Sequence, residues 1–106
     1  MEKRLQNQII YITGASAGIG LSTAELCLQE GATVVITGRN EERLNEAEIK
    51  LNEISSNVVA HLLDVSVESD VIDSLNDIYK KFGKIDGLVN NAPSIHAGNM
   101  FVIDMP

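Results

Sequence analysis

The sequence predicts an α/β domain built on a doubly wound parallel sheet, and three observations carry that prediction. Four short apolar runs of strand length alternate with three longer stretches whose apolar residues recur every three or four positions. Turn chemistry separates them, at Gly31, at Ser55-Ser56-Asn57 and at Gly83. The second run, Thr33 to Thr37, is β-branched almost throughout, as suits a strand buried on both faces. Such alternation implies right-handed crossovers, with helices covering both faces of the sheet.

The elements follow in order. Strand one runs from about Ile9 to Thr13. A helix follows from about Gly18 to Glu30, with Ile19, Ala24 and Leu28 on its apolar face and Gly31 as its stop. Strand two is Thr33 to Thr37. Asn40 is placed to cap a second helix, whose apolar positions Leu44, Ala47, Leu51 and Ile54 step by three and four. Its charged face reads as solvated, with Glu46 and Lys50 spaced for an i,i+4 pair. Strand three is Val58 to Leu63. Ser66 is the expected N-cap of the third helix, whose stripe of Val67, Val71, Leu75, Ile78 and Phe82 ends at Gly83. Strand four is Ile85 to Val89, and from Asn90 to Pro106 no periodicity is evident.

The chain has 106 residues, enough for one small domain with a core of its own. Apolar residues make up 44%, so the chain folds instead of staying disordered. With 8 basic and 15 acidic residues, a net charge of -7 and no basic cluster, nucleic acid and anionic membrane surfaces are excluded as expected partners. The one cysteine, Cys27, has no internal disulfide partner, which fits a reducing compartment, and its apolar neighbours mark it as a core thiol. The polar N-terminus and the short apolar run behind it match neither a signal peptide nor a membrane span, so a cytoplasmic location is expected. His61 and His96 have no partner at metal-ligand spacing, and no metal site is expected.

The chemistry begins at Thr13-Gly14-Ala15-Ser16-Ala17-Gly18-Ile19-Gly20, directly after strand one. A strand that breaks into a glycine-rich turn and then a helix aims backbone N–H groups and a helix dipole at an anion such as a diphosphate. Gly14 permits the tight turn, Gly18 the close approach of a pyrophosphate, and Gly20 the close packing of helix on sheet. Three other motifs stand at strand ends: Thr37-Gly38-Arg39, Asp64-Val65 and Asn90-Asn91-Ala92. All four fall at carboxyl ends of strands, which assembles them into one site.

In this order the motifs resemble those of the classical short-chain dehydrogenase/reductase family, across nearly the whole chain. The resemblance implies a Rossmann-like sheet of order 3-2-1-4, truncated relative to the family. It implies a nicotinamide dinucleotide as cofactor, contacted by Gly14, Ser16, Gly18, Ile19 and Gly20 at the phosphates and the nicotinamide side. Thr13 stabilises the turn in such proteins. Members that prefer NAD place a carboxylate after strand two; Gly38 followed by Arg39 implies NADP(H), because guanidinium forks onto a 2′-phosphate that a carboxylate would repel. An exposed loop arginine is the plainer alternative. Asp64, with Val65, is implied to accept the adenine amino group, and an acid there also suits the dipole of the third helix.

Asn90, Asn91 and Ala92 resemble the family's Asn-Asn-Ala-Gly beside the cofactor ribose, with Pro93 where the family has glycine. The family's catalytic Ser and Tyr-x-x-x-Lys find no counterpart: four residues after Tyr11 stands Ala15, and after Tyr79, Gly83. No catalytic residue is therefore carried over. The expected function is the cofactor-binding N-terminal half of an NADP(H)-dependent oxidoreductase. The alternative is an inactive nucleotide-binding module acting through a partner chain. Family members of full length are usually homo-oligomers, but the usual interface helices are absent from these residues. Strand four is expected to leave an unprotected edge.

Overall fold

The computed structural model describes residues 3–91 and the backbone of 102–103. Elements alternate as β1 (Ile9–Thr13), α1 (Gly18–Gln29), β2 (Thr33–Gly38), α2 (Glu41–Asn52), β3 (Val58–Leu62), α3 (Glu68–Phe82) and β4 (Gly87–Asn90), with β5 (Val102–Ile103) last. The sheet order is β3-β2-β1-β4-β5. The first four strands are parallel, with Tyr11 opposite both Val35 and Leu88. The expected order 3-2-1-4 is therefore observed.

Strand pleating divides the core in two. Ile10, Ile12, Val34 and Ile36 point to one face, where Ala24 and Leu28 of α1 and Leu44 and Leu51 of α2 cover them. Ile9, Tyr11 and Val35 point to the other, where Ile78 of α3 packs. Cys27 packs at the margin of the first cluster, and burial pushes its thiol pKa up, which makes it an inert thiol. In the second cluster the Tyr11 hydroxyl and His61 Nδ1 both meet Ser74 Oγ at 2.6 Å, so α3 is fixed to two strands by polar contacts as well. His61 is thus a sheet residue, as expected, while His96 lies outside the described residues.

Helix ends explain most departures from the expected pattern. Asn40 caps α2 as predicted, its side chain accepting the Arg43 amide at 3.0 Å. Gly83 ends α3 in the left-handed region at φ 78°, its amide donating to the Tyr79 carbonyl. Ser66 does not cap α3. Its hydroxyl and amide both donate to Asp64 Oδ1, at 2.7 and 2.9 Å, and the N-cap position falls to Val67, which has no side-chain acceptor. Ile54 does not extend the apolar face of α2: the helix stops at Asn52 and Ile54 lies in the turn beyond it, exposed. Lys50 pairs at 3.9 Å with Glu25 of α1 instead of with Glu46.

The fourth strand starts at Gly87, two residues later than expected. Before it, Ile85 is buried and the Asp86 carboxylate accepts the Ile9 amide at 2.6 Å, seating the strand against β1. Its outer edge is not open along its length. β5 pairs antiparallel to it, Leu88 opposite Ile103 and Val89 opposite Val102, which corrects the expectation of an unprotected edge.

Candidate cofactor site

The carboxyl ends of β1, β2 and β3 open into one cleft of about 440 Å³. Its floor is the loop between β1 and α1. Gly14 and Gly18 take φ of 66° and 63°, a conformation that side chains resist, so both glycines are required by the backbone path. At Gly18 a Cβ would meet nothing within 4 Å and would project into open space. At Gly20 the situation is reversed: a Cβ would lie 2.5 Å from the Gly14 carbonyl and 2.6 Å from Asn91 Nδ2. Gly20 thus lets helix, loop and β4 end meet.

The start of α1 is electrically unfinished. Ala17 is its N-cap residue and supplies no side-chain acceptor, and the first turn contains no acid. The first amides of a helix have no partner within it. An anion at this point would supply what Asn40 supplies to α2, and the open space at Gly18 leaves room for one. A dinucleotide diphosphate therefore fits the residues present.

The loop is held from two sides. The Ala15 amide donates to the Thr37 carbonyl at 3.3 Å, tying it to β2. The Thr13 hydroxyl donates to Asn90 Oδ1 at 3.1 Å and accepts the Asn91 amide at 2.9 Å, tying it to β4. Thr13 is buried and works on the turn, and Asn90 is engaged in supporting it.

Of the residues singled out in the sequence, Gly14, Ser16 and Gly18 line the cleft from the loop, and Arg39, Asp64 and Val65 line it from the strand ends. Gly20 is buried behind the loop. Ile19, expected on the apolar face of α1 with Ala24 and Leu28, stands instead on the helix's exposed side, 66% accessible. Ala92 lies outside the described residues. Asn91, part of the Asn90-Asn91-Ala92 motif, itself reaches the cleft.

Two further residues join the site. Arg43, one turn into α2, lines the cleft beside Arg39 and Asn40. The sequence held no specific signal for it, because Arg43 reads as one more charge on the solvated face of α2. Ser66 also lines the cleft, and with its two donors it holds the Asp64 carboxyl below its usual range; the Arg39 charge acts in the same direction. Asp64 therefore stays an acceptor under mildly acidic conditions. A second cleft of about 390 Å³, between β3 and α3, collects His61, Asp70, Asp73 and Asp77. Among the described residues no cluster has the make-up of a metal site, and no helix is long and apolar enough to cross a membrane.

Comparison with known proteins agrees with this geometry. The sequence is 42% identical over 106 residues to the uncharacterized oxidoreductase YxnA of Bacillus subtilis, covering 97% of this chain and 30% of that protein. Its fold matches L-sorbose reductase from Gluconobacter frateurii, solved with NADPH and L-sorbose, at a TM-score of 0.81 and 35% identity, covering 89% of this chain and 36% of that one. Glucose dehydrogenase of Caenorhabditis elegans, in the apo form, matches at 0.78 and 41% identity, over 87% and 40% of the two chains. The chain thus spans about a third of the length of these relatives. With a family model for short chain dehydrogenases matching residues 8–104, the chain belongs to the short-chain dehydrogenase/reductase family of oxidoreductases.

Proposed function

We infer that this chain is the dinucleotide-holding part of an NADP(H)-dependent oxidoreductase that transfers hydride between a carbonyl and an alcohol. The observation that carries the reading is the wall formed by Gly38, Arg39 and Arg43 in the cleft. A Cβ at Gly38 would meet nothing closer than Leu44 Cδ1 at 3.6 Å, so space does not forbid a carboxylate there. Two guanidinium groups stand on the same wall. Both features favour a 2′-phosphate, by removing repulsion and by supplying charge-assisted donors.

The bound cofactor supplies the hydride. In this reading the α1 amides from Gly18 to Gly20 and the Ser16 hydroxyl hold the diphosphate, and Ile19 offers an apolar contact toward the nicotinamide side. Asp64 accepts from the adenine amino group with Val65 beside it, and Asn90 and Ala92 flank the ribose. The lone Cys27 and the absence of a long apolar helix among the described residues support a cytoplasmic setting. Assembly of the longer enzyme into homo-oligomers is part of the same proposal.

A second reading, a catalytically inactive nucleotide-binding module acting through a partner chain, has its own support. Tyr11 is buried in β1, and burial outweighs its Ser74 hydrogen bond in raising the phenol pKa, the wrong direction for an acid working at neutral pH. Tyr79 is half-exposed on α3 and is followed four residues later by Gly83. Neither tyrosine has a lysine four residues on, since Lys80 and Lys81 follow Tyr79 by one and two.

Calorimetric titration of the 106-residue chain with NADPH and NADH tests both readings. Arg39→Asp is expected to weaken NADPH by about tenfold or more while leaving NADH within about twofold, the scale of losing a charge-assisted pair. Equal losses for the two cofactors would overturn the NADP(H) assignment. Turnover of a carbonyl substrate by the purified chain would overturn the inactive-module reading.

A further inference from the structure

Ser74 stands in the middle of α3, and its hydrogen-bond partners lie off its own helix. Thr23 of α1 shows the common alternative, its hydroxyl donating to the Ile19 carbonyl one turn earlier at 2.8 Å. Ser74 Oγ instead meets the Tyr11 hydroxyl of β1 and Nδ1 of His61 on β3, each at 2.6 Å. Tyr11 is fully buried and Ser74 nearly so, which leaves the two hydroxyls dependent on each other and on the ring. The His61 ring is half-buried at the wall of the cleft between β3 and α3.

Counting hydrogens gives this chain a direction. Tyr11 and Ser74 bring one hydrogen each to the two contacts, and Ser74 Oγ accepts as well as donates. With the His61 hydrogen on Nε2, the phenol donates to Ser74, Ser74 donates to Nδ1, and every hydrogen is used. A proton on Nδ1 makes three hydrogens for the same two contacts. Nδ1 must then donate to Ser74 Oγ, and either the Ser74 or the Tyr11 hydrogen loses its acceptor inside the core. The other neutral tautomer carries the same surplus, so the contacts select Nε2–H.

Pleating turns Val58 and Ala60 of β3 to the α1–α2 layer, and Val59 and His61 to α3. Among the described residues, the charged groups facing the ring therefore come from α3: Asp70, Asp73 and Asp77 line the same cleft. β2 offers the uncharged Thr37 as the neighbour in register, and β1 reaches the ring through Ser74 and Tyr11. A proton arriving at His61 meets negative charge in its cleft and one hydrogen too many behind it. Two residues further on, Leu63 lines both this cleft and the cofactor cleft, so the seating of α3 borders the proposed site.

We propose that His61, Ser74 and Tyr11 form a pH-sensitive latch between α3 and the sheet, closed while His61 is neutral and weakened when the ring takes up a proton. Histidine is the side chain that ordinarily changes charge between about pH 5 and 8. The latch rests on contacts inside the core and not on the cofactor reading, so the tests omit cofactor. In the first, the His61 and Tyr11 rings of the wild-type chain are followed by NMR through that range. Burial raises the Tyr11 phenol above its ordinary range, so its own ionisation does not intrude. The Tyr11 Cζ resonance is expected to move with the same midpoint as the His61 ring. It should stand still in His61→Asn, whose amide oxygen can accept from Ser74 and does not titrate. A Tyr11 resonance that ignores the His61 titration overturns the latch, as does one that still moves in His61→Asn. In the second, urea denaturation compares the wild-type chain with Ser74→Ala at about pH 5.5 and about pH 8, either side of the ordinary histidine midpoint. The neutral ring makes full use of the Ser74 hydroxyl and the charged ring does not. Ser74→Ala is therefore expected to lower the folding equilibrium constant by about threefold more, or beyond, at the higher pH. Equal losses at the two pH values, or a larger loss at the lower one, overturn the proposal. The NMR arm on the wild-type chain decides the matter if Ser74→Ala does not fold.

Discussion

The Thr13 hydroxyl on β1 donates to the Asn90 side chain on β4 across 3.1 Å, joining residues 77 positions apart at the lip of the cleft. The same oxygen accepts the Asn91 amide, and Asn91 in turn presses its amide nitrogen toward Gly20. The glycine loop is thus held in shape by the far end of the domain.

Thr13→Val removes that bridge while keeping the side-chain shape. Leaving the part-buried Asn90 and Asn91 groups without their partner is expected to lower unfolding free energy by about 1 kcal/mol, read by urea denaturation. Cofactor affinity should fall as well, and Thr13→Ser should restore most of both. Wild-type stability in the Val variant would show that the bridge is dispensable.

The two glycines of the loop separate fold from binding. Gly20→Ala places a methyl group against the Gly14 carbonyl and the Asn91 side chain, at an expected stability cost of about 1–3 kcal/mol. Gly18→Ala meets no steric obstacle, only the strain of a positive φ, about 1–2 kcal/mol. Its methyl group does intrude where the diphosphate is proposed to sit. Thermal melts should therefore rank Gly20→Ala as no milder than Gly18→Ala, while NADPH titration of the folded Gly18→Ala chain shows a loss beyond detection. Normal NADPH affinity in Gly18→Ala would remove the diphosphate from this point.

Gly38→Asp tests cofactor choice by addition instead of deletion. The position has ordinary van der Waals room toward Leu44 and Ser16, so the substitution should fold. A carboxylate there is expected to weaken NADPH by about tenfold and to strengthen NADH, read as a reversal in the ratio of dissociation constants. An unchanged ratio counts against a ribose-facing role for this position.

Asp64 gives a pH signature. Its carboxyl is held below the ordinary range first by the two Ser66 donors and then by the Arg39 charge. A depressed carboxyl contributes stability that is present above its unfolded pKa and is lost as pH falls through its folded value. The contribution is therefore intact at neutral pH and disappears only below the usual carboxylate range. Ser66→Ala should raise the Asp64 midpoint toward that range in an NMR titration of the side-chain carbon. A midpoint unmoved by the substitution would reassign the shift.

The strand positions, the capping of α2 by Asn40 and the arrest of α3 at Gly83 were legible in the sequence because each rests on a local rule, while the sheet order came from the family resemblance. Apolar run length, a side chain that reaches its own helix start, and a residue free to take positive φ are all written within a few positions. Ser66 was misread as a cap because its amide and hydroxyl turn back to Asp64, two residues away, and the helix starts one residue later, with Val67 at the cap. Arg43 was hidden because the charged face of α2 looks uniform in sequence; only the fold shows that its first turn borders the cleft. The β4–β5 pairing was invisible, since two residues carry no period.

Synthesis of a polypeptide runs from the N-terminus, and folding follows it. The glycine loop precedes β4 in the chain and leaves the ribosome before it, yet Thr13 and Gly20 wait for Asn90 and Asn91 before their packing is complete. A nascent chain halted before β4 thus carries the whole glycine signature without the contacts that brace its loop, and the proposed capture of the dinucleotide is expected only once that strand has emerged.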